Sequence, residues 1–342
     1  MTEYLDTLIS VWPSWALLTT LVVSILILGK AADVLVEDAV AISRQWRLPS
    51  AVVGATIVSL GTTTPEAVVS VLAAVQGRSD LALGNAVGSI ICDTGLILGI
   101  GCLISPLRFD RGVVNQQSWV KVATGVLLVL ACVPWLTTGP LQVFSSGGTL
   151  PQVVGWGFLV LLALYMRWSV QLARQSVGED DQDIPDALRG RARTVFSLAV
   201  AIAVVVVSAS FLISSATESA VRLDVPPSVI AATLVAFGTS LPELVIVITA
   251  TLKGETEIAI GNVIGADILN VLFVAGAAAS VTPTGLEADP HFFILQFPAM
   301  LFLLAIFRFG TLMTKNSTLT RPFGVVLLGT YVVVTVASYL LS

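Results

Sequence analysis

The stretch GTTTPEAVVSVLAAVQGRSDLALGNAVGSIICD, residues 61–93, recurs as GTSLPELVIVITATLKGETEIAIGNVIGADILN, residues 238–270. Extended to residues 59–101 and 236–278, the two segments align without a gap, and 13 of 43 positions are identical. Most of the matches are Gly, Thr, Pro, Glu and Asn rather than generic apolar residues. The chain therefore contains an internal duplication with a constant shift of 177 residues.

The composition around this repeat is that of a membrane protein. Hydrophobic residues make up 56% of the 342 residues, charged residues only 11%, and the mean hydropathy is +0.93, whereas soluble domains carry about 25% charged residues. Seventeen Lys and Arg and a net charge of -5 exclude a basic surface for nucleic acid. The first ten residues contain no Lys or Arg, so we expect the first apolar segment to be retained as a helix. Cys92, Cys102 and Cys132 lie in apolar stretches and are interpreted as small core residues without disulfides.

A hydrocarbon core of about 30 Å requires about 20 apolar residues in a helix. Ten segments fit, near 14–43, 51–76, 80–104, 118–136, 151–173, 194–221, 228–252, 257–281, 291–308 and 321–341. Five is an odd number, so a duplicated five-helix unit must enter the membrane in the opposite sense, an arrangement typical of secondary transporters. The predicted fold is an all-α polytopic membrane protein of ten transmembrane helices in two inverted five-helix repeats, residues 1–174 and 193–342, joined by a linker at 175–192.

Basic residues predict the orientation. When the loops alternate between two sides, one side receives 14 Lys and Arg, Lys121 among them, and the other receives only Arg78 and Arg222. The positive-inside rule makes the first side cytoplasmic. We therefore expect a multi-pass protein of the plasma (inner) membrane with both termini outside and the 175–192 loop in the cytoplasm.

Two mid-span motifs carry the chemistry. Pro65 and Pro242 each remove a backbone donor and should break their helices. The carbonyls freed there can exist in a bilayer only if they line a cavity or bind something. Glu66 and Glu243 lie near the bilayer centre, where an ionisable group is costly unless it is paired or hydrated, so we expect both to be functional.

Further oxygen-bearing residues accompany these glutamates. Asp93 and Asn270 lie at equivalent positions in the middle of the following spans. Hydroxyls one turn before the glutamates come from Thr62, Thr63, Thr239 and Ser240. Carboxylates, an amide, hydroxyls and carbonyls form an all-oxygen set that suits Ca²⁺ or Na⁺ rather than a soft metal.

At GTTTPE (61–66) with GNAVGSIICD (84–93), and GTSLPE (238–243) with GNVIGADILN (261–270), the chain resembles the cation/Ca²⁺ antiporter superfamily, in particular the prokaryotic Na⁺/Ca²⁺ exchangers. The resemblance implies a central Ca²⁺ site of Glu66, Asp93, Glu243 and Asn270. It also implies flanking Na⁺ sites served by Thr62, Thr63, Thr239, Ser240, Ser89 and the carbonyls of Ser59 and Ala236.

The sequence departs from the family pattern in the second motif. Ala266 stands where the family has Ser, which puts one flanking Na⁺ site in doubt. Asp267 is an additional carboxylate three residues before Asn270. It is either a helix-packing acid that is neutral at pH 7 or a residue that biases the site toward another ion.

The function predicted from these motifs is antiport of Na⁺ for Ca²⁺ by alternating access in the lipid bilayer, and both ions are transported. The motifs imply no organic cofactor, no enzyme activity and no protein partner. Exchange of another divalent cation or H⁺-coupled Ca²⁺ antiport are the alternatives. The resemblance disfavours H⁺ coupling, because related H⁺/Ca²⁺ exchangers carry a G-N-x-x-E motif that is missing here. It also disfavours K⁺ dependence, because K⁺-dependent relatives carry Asp at the position of Asn270. A passive cation channel and an intramembrane hydrolase are remote alternatives; for the latter, a single His291 precludes a two-His zinc motif.

Overall fold

The computed structural model describes residues 9–135, 142–175, 187–223, 238–314 and 316–341. In these ranges the chain is helical apart from four short strands. The elements are α1 (Ser14–Trp46), α2 (Ser50–Thr62), α3 (Thr64–Val75), α4 (Ser79–Ile104), β1 (Leu107–Arg108), α5 (Arg111–Cys132), α6 (Val143–Ser146), β2 (Gly148–Leu150), α7 (Gln152–Gln175), α8 (Ala187–Arg222), α9 (Leu241–Leu252), α10 (Thr256–Ser280), β3 (Leu286–Ala288), α11 (Phe292–Met313), β4 (Thr318–Leu319) and α12 (Arg321–Leu341).

The apolar composition of the helices agrees with a membrane location. Among the described residues, seven helices are long and apolar enough to cross a bilayer, and the bent pair α2 and α3 makes an eighth if it is one span. Each of the ten segments predicted from the sequence coincides with a helix or helix pair, wholly or in part. Only the end of the seventh segment, as the 12-residue α9, falls within the described residues.

The fourth predicted segment begins earlier than hydropathy indicated. Helix α5 starts at Arg111 rather than near residue 118. Asp110 caps it, since its Oδ1 accepts a hydrogen bond of 2.8 Å from the backbone N–H of Val113. Lys121, counted above among loop residues, therefore lies inside this helix, where its side chain is fully buried. That assignment was wrong, and the basic asymmetry loses one residue.

Two small antiparallel sheets tie the halves of the chain together. In the first sheet β1 pairs with β4, with Leu107 opposite Leu319, and in the second β2 pairs with β3, with Gly148 opposite Ala288. Helix α5 runs from the first sheet to the second, while α11 runs from the second to the first. Twenty-two helical residues span about 33 Å at 1.5 Å per residue, so the sheets are separated by roughly one hydrocarbon thickness.

Equivalent helices of the two halves point in opposite directions. Helix α4 ends at the first sheet and α10 ends at the second; likewise α7 starts at the second sheet and α12 at the first. Helix α1 runs antiparallel to α8, because the Arg222 guanidinium reaches Ser14 Oγ at one end and Gln45 donates to Thr194 Oγ1 at the other.

Most of the described basic side chains at helix ends gather at the first-sheet end of the bundle. Arg108 belongs to β1, Arg321 begins α12 beside it, and Lys253 precedes Thr256, whose hydroxyl donates to the Arg108 carbonyl at 2.7 Å. The beginning of α1 and the end of α12 both lie at the opposite end. Basic residues of the kind used to predict the orientation are thus concentrated at one end of the bundle.

Candidate ion-binding site

The first repeat motif breaks its helix, as the sequence indicated. Helix α2 ends at Thr62 and α3 begins at Thr64, with a bend of 44° between them. Pro65 lies in the first turn of α3, where its missing N–H costs nothing. Glu66 follows in the same turn, so its carboxylate lies at the positive end of a helix dipole inside the protein.

The second motif has the same local structure. Helix α9 begins at Leu241 with Pro242 and Glu243 in its first turn. Residues 224–237, which precede this motif, lie outside the described residues. The predicted carbonyl ligand Ala236 falls in that range.

Asp93 and Asn270 occupy matching positions in the middle of α4 and α10. Each is the fifteenth residue of its helix, and each belongs to a π-helical segment, Cys92–Ile97 in α4 and Asn270–Ala275 in α10. Single-turn π segments recur at functional sites because they interrupt regular i to i+4 bonding.

These four elements converge. Helix α3 packs against α4 and the π segment of α10, and α9 packs against α10 and the π segment of α4. Asn270 Nδ2 donates to Asp93 Oδ2 at 3.4 Å. Glu66 interacts electrostatically with both Glu243 and Asp93. The four residues predicted as the core of the site therefore lie on helices that pack together, and each of them is about 1% exposed.

Many oxygen atoms in this cluster are buried without a hydrogen-bond partner among the described residues. They are Glu66 Oε2, Asp93 Oδ1, both carboxylate oxygens of Glu243, Asn270 Oδ1, Ser59 Oγ, Thr63 Oγ1 and Ser240 Oγ. Each unsatisfied buried polar group costs about 1–3 kcal/mol, and native proteins leave few of them. A concentration of acceptor oxygens in one place is the donor set that a hard cation requires.

Three of the four predicted hydroxyl residues lie beside carboxylates, and the fourth makes a different contact. Thr62 and Thr63 lie beside the Glu243 carboxylate, and Ser240 lies beside Asp93. Thr239 is engaged elsewhere, since its Oγ1 is 3.4 Å from Asn85 Oδ1.

Ser89 and the Ser59 carbonyl, the remaining ligands predicted in the first half, differ in their surroundings. Ser89 is buried in α4, one turn before Asp93. The Ser59 carbonyl is not free, because it accepts the backbone N–H of Thr63 at 2.8 Å and the Thr62 hydroxyl at 3.3 Å. A carbonyl oxygen has two lone pairs and both are occupied here, so a cation that binds this oxygen would have to displace one of the two donors.

Glycines set the distance between α2 and α10. A Cβ atom on Gly265 would overlap Ser59 Oγ and the Ala55 carbonyl, and one on Gly261 would overlap the Ala51 carbonyl. The bare backbone at these positions lets α2 lie directly on α10. This close packing places Ser59 against α10, the helix that contains Asn270.

No three His, Cys, Asp or Glu side chains in the described parts of the chain converge closely enough to form a metal site by themselves. The oxygens that do converge come from carboxylates, an amide and hydroxyls together.

A sodium/calcium exchanger protein family model matches residues 16–171 and 193–340. The chain belongs to the sodium/calcium exchanger family. It is similar to the inner membrane protein YrbG of Escherichia coli, with 32% identity over 333 residues covering 94% of this chain and 96% of that protein. It is also similar to the sodium/calcium exchanger MaX1 of Methanosarcina acetivorans, with 26% identity covering 91% and 95% of the two chains.

A solved structure gives the same result for the fold. The sodium-calcium exchanger NCX_Mj, soaked with Na⁺ and Sr²⁺, superimposes with a TM-score of 0.78 at 25% identity, covering 94% of this chain and 98% of that one. Family membership makes this chain a membrane transporter of the cation/Ca²⁺ antiport class.

One feature of this exchanger was missed by sequence reasoning. Lys121 Nζ lies 2.6 Å from Asp267 Oδ2, and both residues are about 1% exposed. The extra carboxylate beside Asn270 is thus half of a buried ion pair, which neither of the two interpretations offered for it included. An isolated Lys halfway along an apolar helix was the available signal, and predicting too late a start for the helix concealed it.

Proposed function

We propose that this exchanger moves Na⁺ and Ca²⁺ in opposite directions by alternating access at the cluster formed by Glu66, Asp93, Glu243 and Asn270. The observation that carries the proposal is the concentration of buried, unpartnered oxygens in this cluster. Neutral and anionic oxygens in one dry pocket favour hard cations, and both Na⁺ and Ca²⁺ bind such ligands.

Competition for one cluster accounts for exchange. The negative charge of three carboxylates can be balanced by one Ca²⁺ or by several Na⁺, but the cluster cannot hold both sets of ions at once. When it holds no cation the cluster repels itself, because like charges at low dielectric interact strongly. If only loaded states can pass between inward-open and outward-open forms, net movement of one ion requires return of the other.

Ten spans in two inverted repeats complete the proposal. The opposite directions of α4 and α10 between the two sheets support it, as does the long contact of α1 with α8, which form a pair beside the rest of the bundle. In this topology the first-sheet end faces the cytoplasm, together with the 175–192 linker, and both termini lie outside.

Purified protein in liposomes tests the function. Vesicles loaded with Na⁺ and diluted into Na⁺-free medium should take up radioactive Ca²⁺, and equal K⁺ or H⁺ gradients should not drive uptake. Uptake driven by H⁺ alone would replace the proposal with H⁺-coupled antiport. Flux that needs no counter-ion on the opposite side would indicate a channel.

A further inference from the structure

A buried ion pair adjoins the proposed cargo site. Lys121 of α5 contacts Asp267 of α10 at 2.6 Å, and Thr94 of α4 donates to the same Asp267 oxygen at 2.5 Å. The Lys121 ammonium also lies 4.0 Å from the centre of the Phe307 ring. Apolar helices enclose the pair, so no bulk water reaches either charge.

The pair lies within electrostatic reach of the cargo residues. Asp267 precedes Asn270 by three residues on α10, and Thr94 directly follows Asp93 on α4. Asp267 and Lys121 both act electrostatically on Asp93, in opposite senses. The charge state of this pair therefore contributes directly to the field in which a cargo ion binds.

The duplication does not repeat this arrangement. At the shift of 177, Asp267 corresponds to Ile90 and Thr94 to Val271. Both apolar equivalents are buried in the same fold, so helix packing alone does not require a polar group here. Buried ion pairs also add little stability compared with apolar residues of similar volume.

We propose that Lys121 is a tethered cation of the ion site. It neutralises Asp267, prevents that carboxylate from recruiting a transported cation, and so sets how many Na⁺ ions are exchanged for each Ca²⁺. Lys121 belongs to the first half, and it places an immobile positive charge beside the second-half residues Ala266 and Asp267. The inference rests on the proposed function, because it concerns the ion count of that exchange.

Three variants separate the charges. Lys121→Met leaves Asp267 without its partner, Asp267→Asn leaves Lys121 without its partner, and the double variant removes both charges together. Each is reconstituted in liposomes, and the Na⁺ gradient at which net Ca²⁺ flux vanishes gives the coupling ratio. Lys253→Met is the control, because that ammonium pairs with Asp33 and Glu37 at the end of the bundle.

In Lys121→Met we expect the number of Na⁺ per Ca²⁺ to rise by about one, since one uncompensated buried carboxylate attracts one monovalent cation. In Asp267→Asn the unpaired ammonium repels cargo, and the KM for Ca²⁺ should rise about tenfold or more. The double variant should return both quantities to the wild-type values. Lys253→Met should keep the wild-type ratio.

An unchanged coupling ratio in a folded, active Lys121→Met protein would overturn the inference. If that variant cannot be purified folded, the KM values of Asp267→Asn and the double variant decide. A raised KM that the double variant restores supports a charge effect on cargo, whereas equal values in wild type and both variants refute it. Absence of Na⁺-driven Ca²⁺ uptake in wild type would instead refute the proposed function.

Discussion

Asn270 Nδ2 donates to Asp93 Oδ2 over 3.4 Å, and the two residues are separated in sequence by the 177-residue shift of the internal repeat. Equivalent positions of the two halves thus meet, one as a carboxylate and the other as an amide. This difference leaves three carboxylates in the cluster instead of four. The amide also leaves one Asp93 oxygen unpartnered and available to a cation.

Removal of either glutamate charge should abolish Ca²⁺ transport and leave the protein folded. Glu66→Gln and Glu243→Gln each weaken the attraction for a divalent ion but relieve repulsion within the cluster. Ca²⁺ uptake into liposomes and size-exclusion profiles in detergent are the measurements. Glu287→Gln, at the one exposed residue of strand β3, is the control and should transport normally. Wild-type uptake by Glu66→Gln or Glu243→Gln would remove that residue from the site.

Cargo binding should stabilise the purified exchanger. A ligand that binds only the folded state at 100 times its Kd adds about 2.7 kcal/mol to the free energy of unfolding. Thermal unfolding in detergent should therefore shift upward with Ca²⁺ and, at higher concentrations, with Na⁺. The shift with Ca²⁺ should be lost in Glu243→Gln. An equal shift in that variant would mean that Ca²⁺ acts somewhere else.

The break between α2 and α3, and the positions of Glu66, Asp93, Glu243 and Asn270 in the middle of the bundle, could be predicted because their physical signal is local. A mid-span proline removes a specific backbone bond, and a glutamate next to it in an apolar segment has few structural explanations. The duplication then located the second copy. Each of these inferences needed only residues close together in the sequence.

The ion pair of Lys121 with Asp267 could not be predicted in this way. Its partners lie on separate helices without a shared motif, and the pair has no counterpart in the other half. The start of α5 was predicted too late because the polar residues 115–118 lower the hydropathy of the window. Asp110, a typical helix N-cap residue, was the sequence signal for the correct start. Contacts of this kind are decided by packing between distant segments.

Close packing of α2 on α10 should make Gly265 intolerant of a side chain. Gly265→Ala places a methyl group against Ser59 Oγ and the Ala55 backbone, and should lower the free energy of unfolding by about 1–3 kcal/mol. Gly329→Ala is the matched control, because a Cβ at that position meets no atom within 4 Å. Thermal unfolding of both variants gives the comparison. Equal midpoints would show that α2 can move away from α10 at little cost.

The proposed orientation predicts that position 189 is cytoplasmic. A cysteine replacing Arg189, in a background lacking Cys92, Cys102 and Cys132, should resist an impermeant thiol reagent in intact cells and react after permeabilisation. A cysteine at exposed Val221, near the end of α8, should label in intact cells. The reverse labelling pattern would invert the topology.

The hydroxyl missing at Ala266 gives the last prediction. Ala266 is fully buried on α10 and corresponds to Ser89 on α4, so only one half of the site carries this hydroxyl. An oxygen ligand without replacement weakens a site by about 1–3 kcal/mol. Ala266→Ser should therefore lower the Na⁺ concentration for half-maximal exchange, and Ser89→Ala should raise it.

The coupling ratio distinguishes this effect from that of Lys121. A hydroxyl adds a ligand but no charge, so Ala266→Ser should change the Na⁺ dependence while the number of Na⁺ per Ca²⁺ stays at the wild-type value. Matched flux measurements of radioactive Na⁺ and Ca²⁺ on the same vesicles give both quantities. If Ala266→Ser leaves the Na⁺ dependence unchanged while Ser89→Ala alters it, Na⁺ does not bind beside residue 266, and the flanking site belongs to the first half alone.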